Sequence, residues 1–271
     1  MSDLEDFVLD DELRGGATVM PFPGGPLAAP WAGAALHAFR DARSSEPLLT
    51  LPERAALDAA PWLTGLPAAA RDEIVRHCRV RNLRADESVH AAGDGPVLCG
   101  VASGALRIRL RRPHSEALDY FPAGTWLVDP GRMAAASSLL VLEAHRRATV
   151  VTMPAETLSS LIQRHRCLQQ PLLEAGWNLM ARLMGILEEF STLPLKLRVA
   201  RCLLRLAGHF GVQEDGGIRI VLAINQTELA LLVRASRQRL NLELKSLEAQ
   251  GALRIGKELL ITGSAALKSM A

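Results

Sequence analysis

No apolar run in these 271 residues approaches the roughly 20 consecutive apolar residues that a membrane-crossing helix needs, so no membrane partner is expected. Cysteine is scarce: there are four, Cys78, Cys99, Cys167 and Cys202, far apart and without a Cys-x-x-Cys pair or tight Cys/His spacing. That pattern predicts reduced, structural thiols and no metal site. The frames that carry catalysis are missing too, with no Gly-x-Ser-x-Gly elbow, no phosphate loop and no His-Glu-x-x-His helix. Ser137, Ser138, Asp129 and His145 share a short stretch, but without such a frame they read as loop chemistry, and no enzyme is expected. The N-terminus carries Asp3, Glu5 and Asp6 ahead of a short apolar stretch, unlike a secretory signal, and predicts a cytoplasmic protein.

The formal net charge of +2 hides an asymmetry. From Pro194 onward there are 12 Lys/Arg against 6 Asp/Glu, net +6, which leaves the rest of the chain at net −4. A basic C-terminal module on an acidic remainder is expected where one end meets a polyanion.

Within that basic quarter, Asn225 to Glu248 reads as two short helices joined by a tight turn. Leu229, Leu232 and Val233 share one face of the first, and Ala230 is small where a second helix must cross. After Arg234-Ala235, Ser236 is placed to cap the next helix, in which Leu240, Leu244 and Leu247 continue the apolar stripe. Its opposite face carries Arg237, Gln238, Arg239, Asn241 and Lys245. Arg donates two hydrogen bonds to guanine O6 and N7, while Gln and Asn pair with adenine N6 and N7, so this face suits DNA major-groove reading. The bland alternative is a solvated helix face. Short strands at Ile218 to Val221, Ala252 to Ile255 and Leu259 to Thr262 surround the two helices and complete a winged helix-turn-helix. Gln226, Thr227, Ser236, Arg254 and Lys257 join the DNA-contacting set, the last two beside phosphate.

Upstream, Leu98 to Val151 breaks into short β-like runs divided by turn residues: Cys99 to Val101, Ala105 to Arg111 after Ser103-Gly104, Leu118 to Phe121, and Trp126 to Val128. Many short strands at close spacing predict a sandwich or roll. Arg107 and Arg109 alternate with apolar residues and are expected on a wet face, solvated. From Pro171 a long helix runs through Phe190 with two apolar stripes at alternating steps of four and three. Leu172, Gly176, Leu179, Leu183, Ile186 and Phe190 make one; Leu173, Trp177, Met180, Met184 and Leu187 make the other. One stripe can pack on the chain's own β domain while the other forms a parallel seam with a second copy. The seam is assigned to Leu172, Leu179, Leu183, Ile186 and Phe190, and a homodimer is expected. Two recognition helices related by a two-fold axis would then reach successive major grooves about 34 Å apart.

The order of parts resembles the cyclic-AMP receptor and fumarate-nitrate regulator (CRP/FNR) superfamily of bacterial transcription factors, over roughly Pro61 to the C-terminus. The matching stretches are Leu98 to Leu110 with Gly104 at its turn, Gly124 to Asp129, Leu142 to Met153, Arg198 to Leu204, and Ala235 to Asn241. Residues 1–50, rich in Ala, Gly, Pro and Asp, read by composition as a loosely ordered extension, in which Ala28 to Phe39 could form a short helix. The resemblance implies an α+β chain beyond it: a cyclic-nucleotide-binding-like β-roll (jelly roll) with flanking helices over 51–167, a dimerisation helix over 168–193 and a winged helix-turn-helix over 194–271. It also implies double-stranded DNA, a second copy and RNA polymerase as partners.

The departures from the family pattern concern both ends. Where nucleotide-binding members carry Gly-Glu and then Arg-Ser/Thr-Ala, this chain has Val128-Asp129 and, within a residue, Ser138-Leu139-Leu140. Losing the arginine removes a charge-assisted contact to phosphate of about 1.5–3 kcal/mol, so cyclic AMP is not the expected effector. The degenerate effector pocket is assigned to Trp126, Val128, Asp129, Ser137 and Ser138, and no cofactor is expected. The oxygen-sensing branch uses an N-terminal cysteine cluster that is absent here. The alternative is a haem or redox sensor using His77, Cys78, His90, Cys99 or Met133. In the recognition helix Arg237 matches the family's guanine-reading arginine, but Gln238 stands where Glu is frequent and Leu242 where Arg is frequent. Leucine makes no base hydrogen bond, though it could touch a thymine methyl, so a half-site other than the cyclic-AMP receptor's is expected. Arg234 occupies a turn position where glycine is usual, at a cost of about 1 kcal/mol if its φ is positive.

Overall fold

The computed structural model describes residues 48–89, 96–112, 115–133, 138–256 and 258–270; the side chains of Pro130, Met133, Ala266, Lys268 and Met270 are not described. The expected helix Ala28 to Phe39 lies outside the described residues, as do His90, Ser137 and Lys257. Helices α1 (Leu51–Asp58), α2 (Pro61–Thr64) and α3 (Ala68–His77) come first. A reciprocal cap starts α1, with Thr50 Oγ1 accepting from the Glu53 N–H and the Glu53 carboxylate accepting from the Thr50 N–H.

The roll follows as β1 (Arg79–Leu83), β2 (Leu98–Ser103), β3 (Ala105–Leu110), β4 (Ala117–Pro122), β5 (Trp126–Val128), a short α4 (Pro130–Met133), β6 (Leu140–Ala144) and β7 (Ala148–Met153). Two antiparallel sheets, ordered β1-β7-β2-β5 and β4-β3-β6, enclose a core of Leu83, Val101, Leu106, Ile108, Leu127, Leu142 and Val150. The outer face of the first sheet is covered by α1 to α3, whose Leu57, Leu63 and Ile74 share a core with Trp126 of β5. Gly104 makes the β2–β3 turn at φ +77°, and a Cβ there would lie 2.5 Å from the Arg147 carbonyl oxygen, so only glycine fits.

Arg107 and Arg109 share one side of β3 as their spacing required, yet they are not solvated. Each donates two hydrogen bonds to Glu143 of β6: Arg107 at 3.0 and 2.9 Å to one carboxylate oxygen, Arg109 at 3.0 and 2.7 Å to the other. Burial opposes the Glu143 charge, but the two guanidiniums more than offset it and hold this carboxyl below the usual carboxylate range. Such a group contributes stability that is present above the unfolded carboxylate value near about 4.3 and is lost as pH falls through the lower folded value. Glu143→Gln is therefore expected to cost about 2 kcal/mol at pH 7 and to flatten the acid limb of stability, as read by urea unfolding between pH 7 and 3.

After α5 (Ala155–Arg164) and a 3-10 turn at Arg166–Leu168 comes the long helix α6 (Gln169–Thr192). Pro171 sits in its first turn, where no intrahelical N–H is needed, so the helix starts before the proline and not at it. The face that α6 turns inward corrects the sequence assignment of the seam. Leu172, Leu179, Leu183 and Ile186 are buried in this chain's own roll and Phe190 is half-buried against it, so these residues are not free to meet a second copy. The other stripe is the outward one: Leu173, Trp177, Met184 and Leu187 are 65, 72, 65 and 41% exposed.

Helix α7 (Leu195–Phe210) turns back along α6 and opens the C-terminal module, followed by β8 (Gly211–Glu214), β9 (Gly217–Ile220), α8 (Gln226–Leu232), α9 (Arg237–Ala249), β10 (Leu253–Ile255), β11 (Leu259–Ile261) and α10 (Ser264–Met270). The sheet order is β10-β11-β9-β8. Strand β8 was not foreseen, because all four of its residues are exposed and give no apolar alternation.

Candidate nucleic-acid interface

Local chemistry fixes the two helices. Asn225 caps α8, its side chain accepting at 2.9 Å from the Thr227 and Glu228 N–H groups, while the Glu228 carboxylate accepts from the Asn225 N–H. Ser236 caps α9 by accepting from the Arg239 N–H. Leu229, Ala230, Leu232 and Val233 of the first helix meet Leu240, Leu244 and Leu247 of the second in one core. Arg234 takes φ +52° in the turn, the left-handed conformation that favours glycine, and its guanidinium lies 5.4 Å from the Phe190 ring centroid at the end of α6.

The arrangement leaves one face of α9 open. Thr227, Ser236, Arg237, Gln238, Arg239 and Lys245 are exposed, and Gln226 and Asn241 are half-buried. Arg237 Nε donates to Gln226 Oε1 at 3.4 Å, joining the starts of the two helices. Glu248 accepts from the Ile255 N–H at 2.8 Å, which ties the wing to the far end of α9 and leaves Arg254 exposed beside it. Several other cations of the module are engaged elsewhere: Arg205 with Glu189, and Arg219 with Glu214 and Glu258. Arg237, Arg239, Lys245 and Arg254, on α9 and the wing, face solvent.

The roll and the reading module touch through groups that no sequence pattern announced. Arg182 of α6 donates to Asp119 of β4 and to His209 Nε2 of α7, both at 2.6 Å. Burial, then the neighbouring Arg182 charge, push the His209 imidazole below its ordinary value, which suits its role as a neutral acceptor. His145 is buried, stacks edge-on with Tyr120 at 4.9 Å and bonds the Ala223 carbonyl through Nε2 at 2.9 Å, just before α8. These partners lie far apart in sequence, so only the fold brings them together.

The expected effector pocket is not one site. Inside the roll a void of about 10 Å³ remains between Val97, Cys99, Ile108, Leu127, Val128, Asp129, Leu140 and Leu179. Small-molecule sites measure about 300–1,000 Å³, so this interior is filled by side chains. Trp126 points the other way, its indole N–H donating to the Leu57 carbonyl at 3.1 Å and its ring edge-on to Trp62. It lines an outer groove of about 500 Å³ with Trp62, Phe121, Glu174, Asn178 and Arg182. Asp129 Oδ1 accepts from the Gly131 and Arg132 N–H groups, and Ser138 bonds both the N–H and the carbonyl of Leu140. The hydrogen bonds of these two side chains are local.

Of the sulfur and imidazole groups that a haem or redox sensor would use, His90 and the Met133 side chain lie outside the described residues. Burial pushes the Cys78 and Cys99 thiols up to about 12, where they hold their protons. His77 Nδ1 bonds the Glu73 carbonyl at the end of α3. No group of three His, Cys, Asp or Glu suited to a metal occurs among the described residues. Among these residues, too, no helix is long and apolar enough to cross a membrane.

Residues 197–270 match the model of the Crp-like helix-turn-helix domain. A CRP-like cAMP-activated global transcriptional regulator of Mycobacterium tuberculosis is 32% identical over 140 residues, 51% of this chain and 60% of that protein. The chain thus spans about 60% of the length of the curated relatives it matches. Among solved structures, the c-di-GMP responsive global regulator CLP of Xanthomonas campestris is similar with TM-score 0.56 and 23% identity, over 73% of this chain and 100% of that one. A CooA mutant from Carboxydothermus hydrogenoformans gives TM-score 0.57 and 18% identity over 72% and 88%. At these identities the likeness is one of fold.

Proposed function

We propose that this chain is a member of the CRP/FNR superfamily and a homodimeric, sequence-specific DNA-binding transcription regulator that reads a palindromic operator, a reading supported by its Crp-like helix-turn-helix domain. The observation that carries this reading is the open polar face of α9, capped at Ser236 and flanked by a basic wing, in the geometry that enters a major groove. Arg237, Gln238, Arg239 and Asn241 face base edges; Lys245, Arg254 and Lys257 meet phosphate. The apolar stripe Leu173, Trp177, Met180, Met184 and Leu187 supports a parallel seam with a second copy, because its spacing of four and three is that of a coiled coil and its large side chains face solvent in one chain.

RNA polymerase is the further partner that the family implies. The small void left inside the roll supports an input other than a nucleotide seated there, which is why cyclic AMP is not the effector proposed here.

Selection from random duplexes is expected to enrich a two-fold symmetric sequence with half-site centres about 10 base pairs apart. Enrichment of no sequence sinks the proposal. Arg254→Ala is expected to weaken binding to all duplexes alike and to lower the slope of log affinity against log salt by about two, one for each copy in the dimer.

A further inference from the structure

Leu242 is 69% exposed in the middle of a helix whose outward neighbours are polar. Single exposed leucines are ordinary on protein surfaces, so its position decides its meaning. The buried side of α9 runs through Leu240, Leu244 and Leu247. At about 100° per residue, the direction opposite to that core passes through Gln238, Leu242 and Lys245, with Arg239 and Asn241 to either side. The centre of the open face is therefore an amide, an apolar side chain and a cation, in that order along the helix.

We propose that Leu242 reads the C5-methyl group of a thymine and Gln238 an adenine one or two base pairs away, so that the half-site carries A·T pairs at its centre. This rests on the placement of α9 in the major groove proposed above. The thymine methyl is the one apolar feature of a base edge in that groove, and an apolar side chain is its natural partner. Gln238 meets adenine by accepting from the N6 amino group through Oε1 and donating to N7 through Nε2. Residues four apart are about 6 Å apart along the helix axis, against a rise of about 3.4 Å per base pair, which sets the spacing of one to two pairs. Guanine or cytosine opposite Leu242 would offer polar edge atoms to a side chain that cannot bond them.

The test uses the full chain and its selected operator, with each thymine replaced in turn by uracil, which removes only the methyl group. Wild-type protein is expected to lose about fourfold in affinity at one thymine per half-site, the transfer value of one methyl, and about fifteenfold when both half-sites are changed. Leu242→Ala, at an exposed position that leaves the core untouched, is expected to bind the thymine and uracil forms alike. 7-Deazaadenine at the neighbouring adenine should weaken the wild type and leave Gln238→Ala unaffected. A palindrome that is enriched but insensitive to uracil at every thymine, or a T/U ratio unchanged in Leu242→Ala, overturns this inference while the operator-reading function stands. Enrichment of no sequence removes both.

Discussion

Trp177→Glu is expected to turn the protein into a folded monomer and to lower its operator affinity by about 100-fold or more. Trp177 is 72% exposed in the single chain, so the substitution disturbs no intrachain packing and should change monomer stability by no more than about 0.5 kcal/mol. In a two-fold seam each new carboxylate faces its own copy, and like charges in a desolvated contact cost several kcal/mol, enough to dissociate a dimer. The monomer then loses the gain from engaging two half-sites at once, typically about 10²–10⁴. Sedimentation equilibrium and fluorescence anisotropy read both effects. Leu183→Glu is the contrast: that residue is 3% exposed between α6 and the roll, and its replacement should unfold the chain. A Trp177→Glu protein that stays dimeric would place the seam elsewhere.

The second large effect belongs to Arg237. Arg237→Ala should abolish the preference for the selected operator while leaving weak, salt-sensitive binding to any duplex. A bidentate arginine–guanine contact discriminates by about 1–3 kcal/mol, and a dimer makes it twice, so a loss of about 100-fold or more follows. Arg237 is exposed and makes a long contact of 3.4 Å with Gln226, so folding should be unaffected. Arg237→Lys should not restore the preference, because an ammonium is a point charge without the planar fork. Equal affinity of wild type and Arg237→Ala for the operator would move base reading away from the start of α9.

What the sequence made legible is what short-range chemistry decides. The caps at Asn225 and Ser236, the turn with Arg234 in a left-handed conformation, and the apolar stripe through Leu240, Leu244 and Leu247 all involve residues within a few positions of each other. Strands β2 to β5 of the roll were legible for the same reason, since Gly104 and the alternation in β3 are local signals, whereas β1 was not.

What failed was long-range. The two stripes of α6 have the same spacing, and nothing within the helix says which one the roll covers; the covering side is set by strands of the roll more than 30 residues away. Arg107 and Arg109 have the spacing of a wet face, and their partner Glu143 is invisible at a separation of 36 and 34 residues. The effector residues follow from family position alone, and Trp126 turns to the opposite face of its strand from the roll interior. The Asp119–Arg182–His209 contact joins three elements, and no pattern in any one of them reports it.

Hydroxyl-radical footprinting of the selected operator, with the number of protein chains per duplex measured in parallel, tests the two-fold reader most directly. The account predicts two chains per duplex and two protected patches on one face of the DNA, centred about 10 base pairs apart. One chain per duplex with a single protected patch, or uniform protection without a preferred site, would contradict it.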